Sequence, residues 1–558
     1  MNPTANVSSS WAKSPPDEPP PLPPHLAVDL LEAGWLPPLP AAYLEGRDLD
    51  LLAPLTFVPP GRMPEGEPPA VDRRELARAL TVANRAYGHP RADELGRRLA
   101  DPATRVVVAG QQPGLFGGPL YTLSKMVAAS RWAAELEAAG LPAVAVFWVA
   151  TEDHDWAEVA RTTLFTRDGT RTFELGEDPE PLVPVGMRTL GPGLDRVYEE
   201  IAAATHGERY EDWLETLARW YRPDARFGEA FCRLMVHFLG EHAPLLLDAM
   251  LPEVKEAEQR TLAAIVEHRQ ALEQGYAAAD EEIAARGYPL QVHPQRGASP
   301  LFLLHRGQRR RVEWSGGDRF TLRGVPAEAG GTVEDLALRL DDNPATVSAG
   351  VLARPAVQDA ILGTFLQVLG PGEVSYMAQA AATYRVLGRV LGLATPAVAL
   401  RPQALVLEPH LEEKLEQTGL TLAQVLDSPE RLERVLADRA GQDPVAPVIA
   451  RVAELVGELR EPLLAADPNL ERPWEKTRDH VVKSLETLAG KATAARARHN
   501  EVEARRVEQL RQTCLPTGKL QERVISSSHY PGKYRQGFAD SFSAQLGLDP
   551  RALQVVRP

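Results

Sequence analysis

Arg105-Val-Val-Val-Ala-Gly110-Gln-Gln-Pro-Gly114-Leu-Phe-Gly-Gly118-Pro-Leu-Tyr-Thr-Leu-Ser-Lys125 decides the fold. A β-branched run ends at Gly110, a glycine-rich loop follows, and Pro119 opens a helix that runs to Gly140. Proline in the first turn and glycine past the last are helix start and stop signals. Next comes Ala143-Val-Ala-Val-Phe-Trp-Val-Ala150, a continuous apolar run of the kind buried on both faces. Strand, helix, strand at this spacing is a βαβ crossover, so the expected class is α/β with a parallel sheet.

Outward from that unit the chain changes character three times. Eleven of the 49 prolines fall in the first 40 residues, so residues 1–25 are expected to be a disordered proline-rich tail. The core is expected over 26–402, and the mixed strand-like and helical runs from about 165 to 345 are read as connecting insertions into it and continuations of it. After Arg401-Pro402, Val448, Val452, Leu455, Leu459 and Leu463 recur every three or four residues, and Trp474, Val481, Leu485, Leu488, Ala492, Ala495 and Val502 form a second stripe. A helix over 468–512 would be about 68 Å long. Two such helices joined by a tight turn predict an antiparallel coiled-coil arm over 403–515, with a homodimer as the natural way to cover its seam. Residues 501–535 carry a local basic surplus, and 516–558 are expected to dock back on the core.

Composition narrows the function. With 558 residues, the chain is long enough for several cores. Its net charge of −15 argues against non-specific nucleic-acid binding. Cys232 and Cys514 are its two cysteines, too few for a disulfide framework, which predicts a reducing, cytoplasmic setting. No run reaches the roughly 20 apolar residues of a membrane span.

Four segments could carry chemistry. In the glycine loop, Gly110, Gly114, Gly117 and Gly118 allow close approach, Gln111 and Gln112 orient, and Tyr121 and Lys125 lie four apart on one helix face. The spacing matches neither the Walker A nor the dinucleotide fingerprint, and a purely structural turn is the alternative. Thr151-Glu-Asp-His-Asp155 follows the buried strand, and Asp153, His154 and Asp155 are read as acid/base groups or as holders of a substrate ammonium. In a third segment Arg354 is a candidate carboxylate clamp and the Gly-Pro-Gly turn would feed Glu373 and Tyr376 into the cleft, and in the last segment Arg523 and Lys533 are candidates for phosphate contact. No resident metal is expected.

These motifs, with Phe147-Trp-x-Ala-x-Glu-Asp-His-Asp155, Gly370-Pro-Gly-Glu373, Tyr376 and Leu520-Gln-Glu-Arg-Val524, resemble the cysteine-adding ligase family of bacillithiol biosynthesis. The resemblance runs from about residue 26 to 540. It implies a Rossmann-like core, a dimerising C-terminal coiled coil, and addition of cysteine to glucosaminyl-malate, the step that completes a low-molecular-weight thiol. Making an amide from a free carboxylate needs activation, so ATP or a related nucleotide, with Mg2+ as its counter-ion, is the expected cofactor. In this reading the activated species is an acyl-adenylate or acyl-phosphate, Lys125 holds phosphates, and His154 takes the amine proton. A metal-dependent hydrolase on Glu152 to Asp155 and a nucleotide-binding coiled-coil scaffold are the alternatives.

Overall fold

A computed structural model describes residues 22–205, 208–293, 297–440, 446–534 and 537–558. Most of the tail expected over 1–25 therefore lies outside the described residues. The chain divides into two units: 28–407 with 516–558, and 23–27 with 408–515.

The first unit is organised by six strands: β1 (Thr56–Phe57), β2 (Arg105–Gln111), β3 (Ala143–Val149), β4 (Leu245–Asp248), β5 (Thr364–Leu369) and β6 (Ala397–Leu400). They form one sheet in the order β1-β6-β5-β2-β3-β4, every neighbouring pair parallel. From β2 the chain steps outward through β3 to β4, then returns to the other side of β2 and lays down β5 and β6. The direction of winding thus reverses between β2 and β5. In doubly wound sheets the crevice at that reversal, beyond the strands' carboxyl ends, is where ligands bind.

Strand β3 shows why the sheet is covered on both sides. Its seven residues are all buried, and alternate side chains enter different cores. Ala145, Phe147 and Val149 pack with Val107 and Ala109, beneath helix α1 (Leu120–Ala138), whereas Val144, Val146 and Trp148 pack with Val106 and Val108 on the opposite face. Truncating Phe147 to alanine would cost about 3–5 kcal/mol by the usual cavity penalty.

Between β3 and β4 lie an antiparallel hairpin, Arg161–Thr166 with Gly169–Glu174, and several helices. Between β4 and β5 come helices α2 (Pro252–Glu267) and α3 (Arg354–Leu362), with a five-stranded antiparallel sheet that includes the hairpin Ala298–His305 and Gln308–Gly316. Helix α4 (Pro371–Leu391) follows β5. Within the 165–345 stretch β4 continues the central sheet, so the stretch holds core as well as insertions. Residues 516–558 belong to the first unit, where Leu553–Val556 pairs in parallel with Gln403–Val406.

In the second unit, helix α5 (Glu471–Cys514) runs for 44 residues. The expected partner helix is instead two pieces, Ala446–Glu458 and Arg460–Ala466. Pro462 supplies the reason: it has no N–H, and its ring would clash with the carbonyl of Glu458, so the first piece stops there. The C-terminal end of α5 packs on shorter helices. Arg511 Nη1 donates to the carbonyls of Val425 and Asp427, both at 2.7 Å, and Val507, Leu510 and Cys514 are buried. No described helix is long and apolar enough to cross a membrane.

Candidate active site

A cavity of about 980 Å³ opens at the carboxyl ends of the central strands. Gly110, Gln111 and Gln112 enter it from the end of β2, Glu152 to Asp155 from the loop after β3, and Arg354, Glu373 and Tyr376 from the starts of α3 and α4. Phe302, Arg309 and Arg311 close it from the inserted hairpin.

Its floor is built around Lys125. Helix α1 brings the ammonium back under β2, where it donates to the Gly110 carbonyl at 2.8 Å and to Gln111 Oε1 at 2.9 Å, and pairs with Glu373 Oε2 at 2.6 Å. An ammonium has three N–H groups, so all are engaged. Burial pushes Lys125 below the ordinary lysine range, opposed by Glu373. Gln111 is held as firmly, since its Nε2 lies 3.0 Å from Gln112 Oε1, 3.2 Å from the Tyr121 hydroxyl and 3.3 Å from Glu158 Oε1.

One wall is acidic. Gln112 Nε2 donates to Asp153 Oδ2 at 2.8 Å, and the His154 backbone N–H donates to Asp153 Oδ1 at 2.8 Å. Asp155 caps the short helix Trp156–Val159 by accepting from Glu158 N. The other wall is cationic. Arg309 is anchored through Nε to Ser348 Oγ at 2.9 Å and through Nη2 to the Ala349 carbonyl at 2.8 Å, which aims Nη1 at His154 Nδ1, 3.4 Å away. Burial, then the Arg309 charge, holds His154 below the ordinary imidazole range, so the ring is a neutral base at neutral pH. Arg354 donates to Gln358 Oε1 at 3.1 Å and to the Tyr376 hydroxyl at 3.3 Å, and Arg311 lines the cavity with no ion pair among the described residues.

Beneath the acidic loop is an ion cluster that motif reading missed. Lys255 Nζ of α2 meets Glu152 Oε2 at 2.5 Å and Glu258 Oε2 at 2.9 Å, with all three side chains almost wholly buried. Burial alone would discharge Lys255, but the two carboxylates overcome it and hold the ammonium above its ordinary range. Glu152 is therefore a fixed support of the loop. Lys255 and Glu258 lie three apart on a helix, a spacing the sequence does show, yet nothing local indicates that Glu152 completes the trio.

Two family models match this chain: "Bacillithiol biosynthesis BshC, N-terminal Rossmann-like domain" over residues 62–402, and "Bacillithiol biosynthesis BshC, C-terminal coiled-coil domain" over 404–548. The chain belongs to the BshC family. Among curated relatives, a protein of Solibacter usitatus is 30% identical over 83% of this chain and 86% of its own length. One of Salinibacter ruber is 30% identical over 87% and 89%, and one of Heliobacterium modesticaldum 31% identical over 80% and 81%. Each bears the name "Putative cysteine ligase BshC".

In this BshC chain, Gly110, Gln111, Gln112, Lys125, Asp153, His154, Asp155, Arg354, Glu373 and Tyr376 share the cavity. Gly114, Gly117, Gly118, Tyr121, Arg523 and Lys533 are not in its lining, and the reasons are local. A Cβ on Gly114 would sit 2.6 Å from the Gly118 Cα, and one on Gly117 would press Met235 Sδ and Ser527 Cβ at 3.2 and 3.3 Å. These glycines serve chain packing. The start of α1 is also occupied by the chain itself, since Leu120 N donates to the Ile525 carbonyl at 2.7 Å and Gly118 O accepts from Ser527 N at 2.7 Å. The Tyr121 ring lies between Lys125 Nζ, at 5.9 Å, and the Arg401 guanidinium, at 5.7 Å. Near Arg523, the inward-facing residue is Glu522. It takes Arg401 bidentately at 2.8 and 3.0 Å and accepts from Ala404 N, which leaves the next residue, Arg523, exposed. Lys533 lies on helix His529–Tyr534, 5.6 Å from the Tyr534 ring.

The carboxylates after β3 do not converge as a metal site would require, because Glu152 is bound by Lys255 and Asp153 by Gln112. Among the described residues, the group of three possible ligand atoms within 4.8 Å of one another is His25, Glu412 and Glu416, in the second unit.

Proposed function

We propose that the chain is the cysteine ligase of bacillithiol biosynthesis, forming an amide between the carboxyl group of cysteine and the amine of glucosaminyl-malate. The observation that carries this reading is that one switch-point cavity brings Asp153, His154 and Asp155 together with Arg311 and Arg354, while Arg309 Nη1 pairs with Asp153 Oδ1 at 3.5 Å. Cysteine is a zwitterion, and such a site offers each of its ends a partner. Asp153 and Asp155 hold the ammonium. Arg354 takes carboxylate, and the neutral His154 removes the proton from the attacking amine. The names carried by the relatives support the same chemistry.

A nucleotide, entering with Mg2+, would supply the leaving group that activates the carboxylate. The cavity volume suits it, although Lys125, whose three donors are spent on Gly110, Gln111 and Glu373, is not the group to hold its phosphates. Lys125 instead positions Gln111 and the first turn of α4. The second unit serves homodimer formation, supported by exposed apolar residues at heptad spacing.

The test is cysteine-dependent ATP–pyrophosphate exchange, together with nucleoside diphosphate release when both substrates are present. Exchange that appears only with cysteine supports an adenylate, and diphosphate release without exchange supports a phosphate. Neither signal under any divalent ion would remove nucleotide activation.

A further inference from the structure

Beside the main cavity lies a second chamber of about 250 Å³. Phe302, Arg311, Gly350 and Val351 line both spaces and form the partition between them. Phe302 and Arg311 are directly paired across the hairpin, and Arg309, two residues along, shares their face. The Arg309 and Arg311 guanidinium carbons lie 3.9 and 5.1 Å from the Phe302 ring centre. Of the two, only Arg311 lines both spaces. The partition is thin at Gly350, where a Cβ would sit 3.0 Å from the Phe302 ring and 3.1 Å from the Pro300 carbonyl.

The chamber's own chemistry differs from that of the main cavity. Asp280 accepts Gln379 Nε2 at 2.7 Å through Oδ1, and its second oxygen has no partner among the described residues. Glu273 reaches the same space with no ion pair among the described residues, and Tyr276 and Ser299 add hydroxyls. The Gln379 amide is spent on Asp280 and the Val292 backbone, so the carboxylates of Asp280 and Glu273 are what complement a molecule rich in hydroxyl donors, and Arg311, with no ion pair among the described residues, complements an acid.

We propose that this chamber is the subsite of the second substrate, an amino sugar with an acidic substituent, whose hydroxyls Asp280 and Glu273 accept and whose acid group meets Arg311 at the partition. The naming of that substrate rests on the ligase reading, whereas the match of polyol and acid to the walls does not. The sugar's amine then faces the main cavity past Phe302, whose ring centre is 6.0 Å from that of His154.

The test fills the chamber from its rim. Ala277 lines it and is solvent-exposed, so Ala277→Trp obstructs the space without overpacking a core. Asp280→Asn is the second variant. Calorimetric binding of glucosaminyl-malate, glucosamine and malate is measured beside steady-state kinetics. Ala277→Trp is expected to weaken glucosaminyl-malate binding and raise its KM at least tenfold, leaving the KM for cysteine within twofold. Asp280→Asn weakens glucosamine at least fivefold and malate not at all. Unchanged glucosaminyl-malate affinity in Ala277→Trp, or no binding heat in the wild type, overturns the subsite. Ligation with an unaltered KM sinks the subsite and keeps the ligase. Binding that the variant abolishes, without any ligation, keeps the subsite and sinks the ligase.

Discussion

Lys125 Nζ lies 2.6 Å from Glu373 Oε2, and the same carboxylate oxygen accepts the Gly370 N–H at 2.7 Å. One oxygen thus ties helix α1 to the first turn of α4 across the point where the sheet reverses its winding. Removing one partner of a buried pair leaves an uncompensated charge, a loss of about 3–5 kcal/mol. Lys125→Met should therefore lower the unfolding midpoint in denaturant sharply, and Lys125→Met with Glu373→Gln should recover at least half of the loss. A double variant no more stable than the single would refute the pairing.

The glycine loop separates packing from ligand contact. Gly117 has φ +89°, and a side chain there would also press Met235 and Ser527. Gly117→Ala should cost about 1–3 kcal/mol through backbone strain and crowding. Turnover per folded molecule should stay within a factor of two to three, since the residue is not in the cavity lining. A stable Gly117→Ala protein with lost activity would return the loop to the binding site.

The same contrast shows how far the sequence could be read. Strands β2 and β3 were legible because each is a continuous apolar run beside a glycine turn, and the helix between them carries both of its boundary signals. The short Leu245–Asp248 and Thr56–Phe57 strands show too little periodicity to be told from loop. They become strands by pairing with neighbours distant in the chain. Of the cavity lining, the residues at the ends of β2 and β3 were legible because the carboxyl edge of a parallel sheet is where ligands collect. Arg309 and Arg311 were missed for the opposite reason, since an inserted antiparallel hairpin brings them in from outside the βαβ pattern. Lys125 was found, but whether its N–H groups were free depended on Glu373, almost 250 positions later.

Activity should follow the protonation of His154. Burial and the Arg309 charge both lower its pKa, so the imidazole stays unprotonated below the ordinary 6.5. The acid limb of kcat/KM should lie below that value, and Arg309→Met should move it upward. Stability should fall as pH drops below 6.5, because the unfolded chain takes up this proton first. A limb that Arg309→Met leaves in place would detach His154 from the profile.

Glu258 should give the opposite slope. Burial, reinforced by Glu152 and opposed by Lys255, pushes its carboxyl up to about 7 from an ordinary 4.5. Between those values the folded protein holds a proton that the unfolded chain has released, so stability declines as pH rises through the window. Denaturant titrations at pH 5 and pH 8 should show the wild type losing more stability than Glu258→Gln over that interval. Equal losses would assign the slope to other groups.

The last expectation concerns assembly. Leu488 and Val502 of α5 are 55% and 43% exposed and stand fourteen residues apart, two heptads, so they share one stripe of the helix. Val448 and Leu455, seven apart on the helix Ala446–Glu458, are exposed as well. The helices Ala446–Glu458 and Arg460–Ala466 pack against α5 near Glu471 and Trp474 and leave Leu488 and Val502 exposed, so the expected cover for that stripe is a second copy of this chain. Replacing both Leu488 and Val502 by aspartate puts two charges into that seam and should halve the mass measured by light scattering. Because both positions are already exposed, the fold of the single chain should survive, with an unchanged circular-dichroism spectrum. A wild-type protein that scatters as one chain, or a doubly charged variant that still scatters as two, would remove the seam as the site of association.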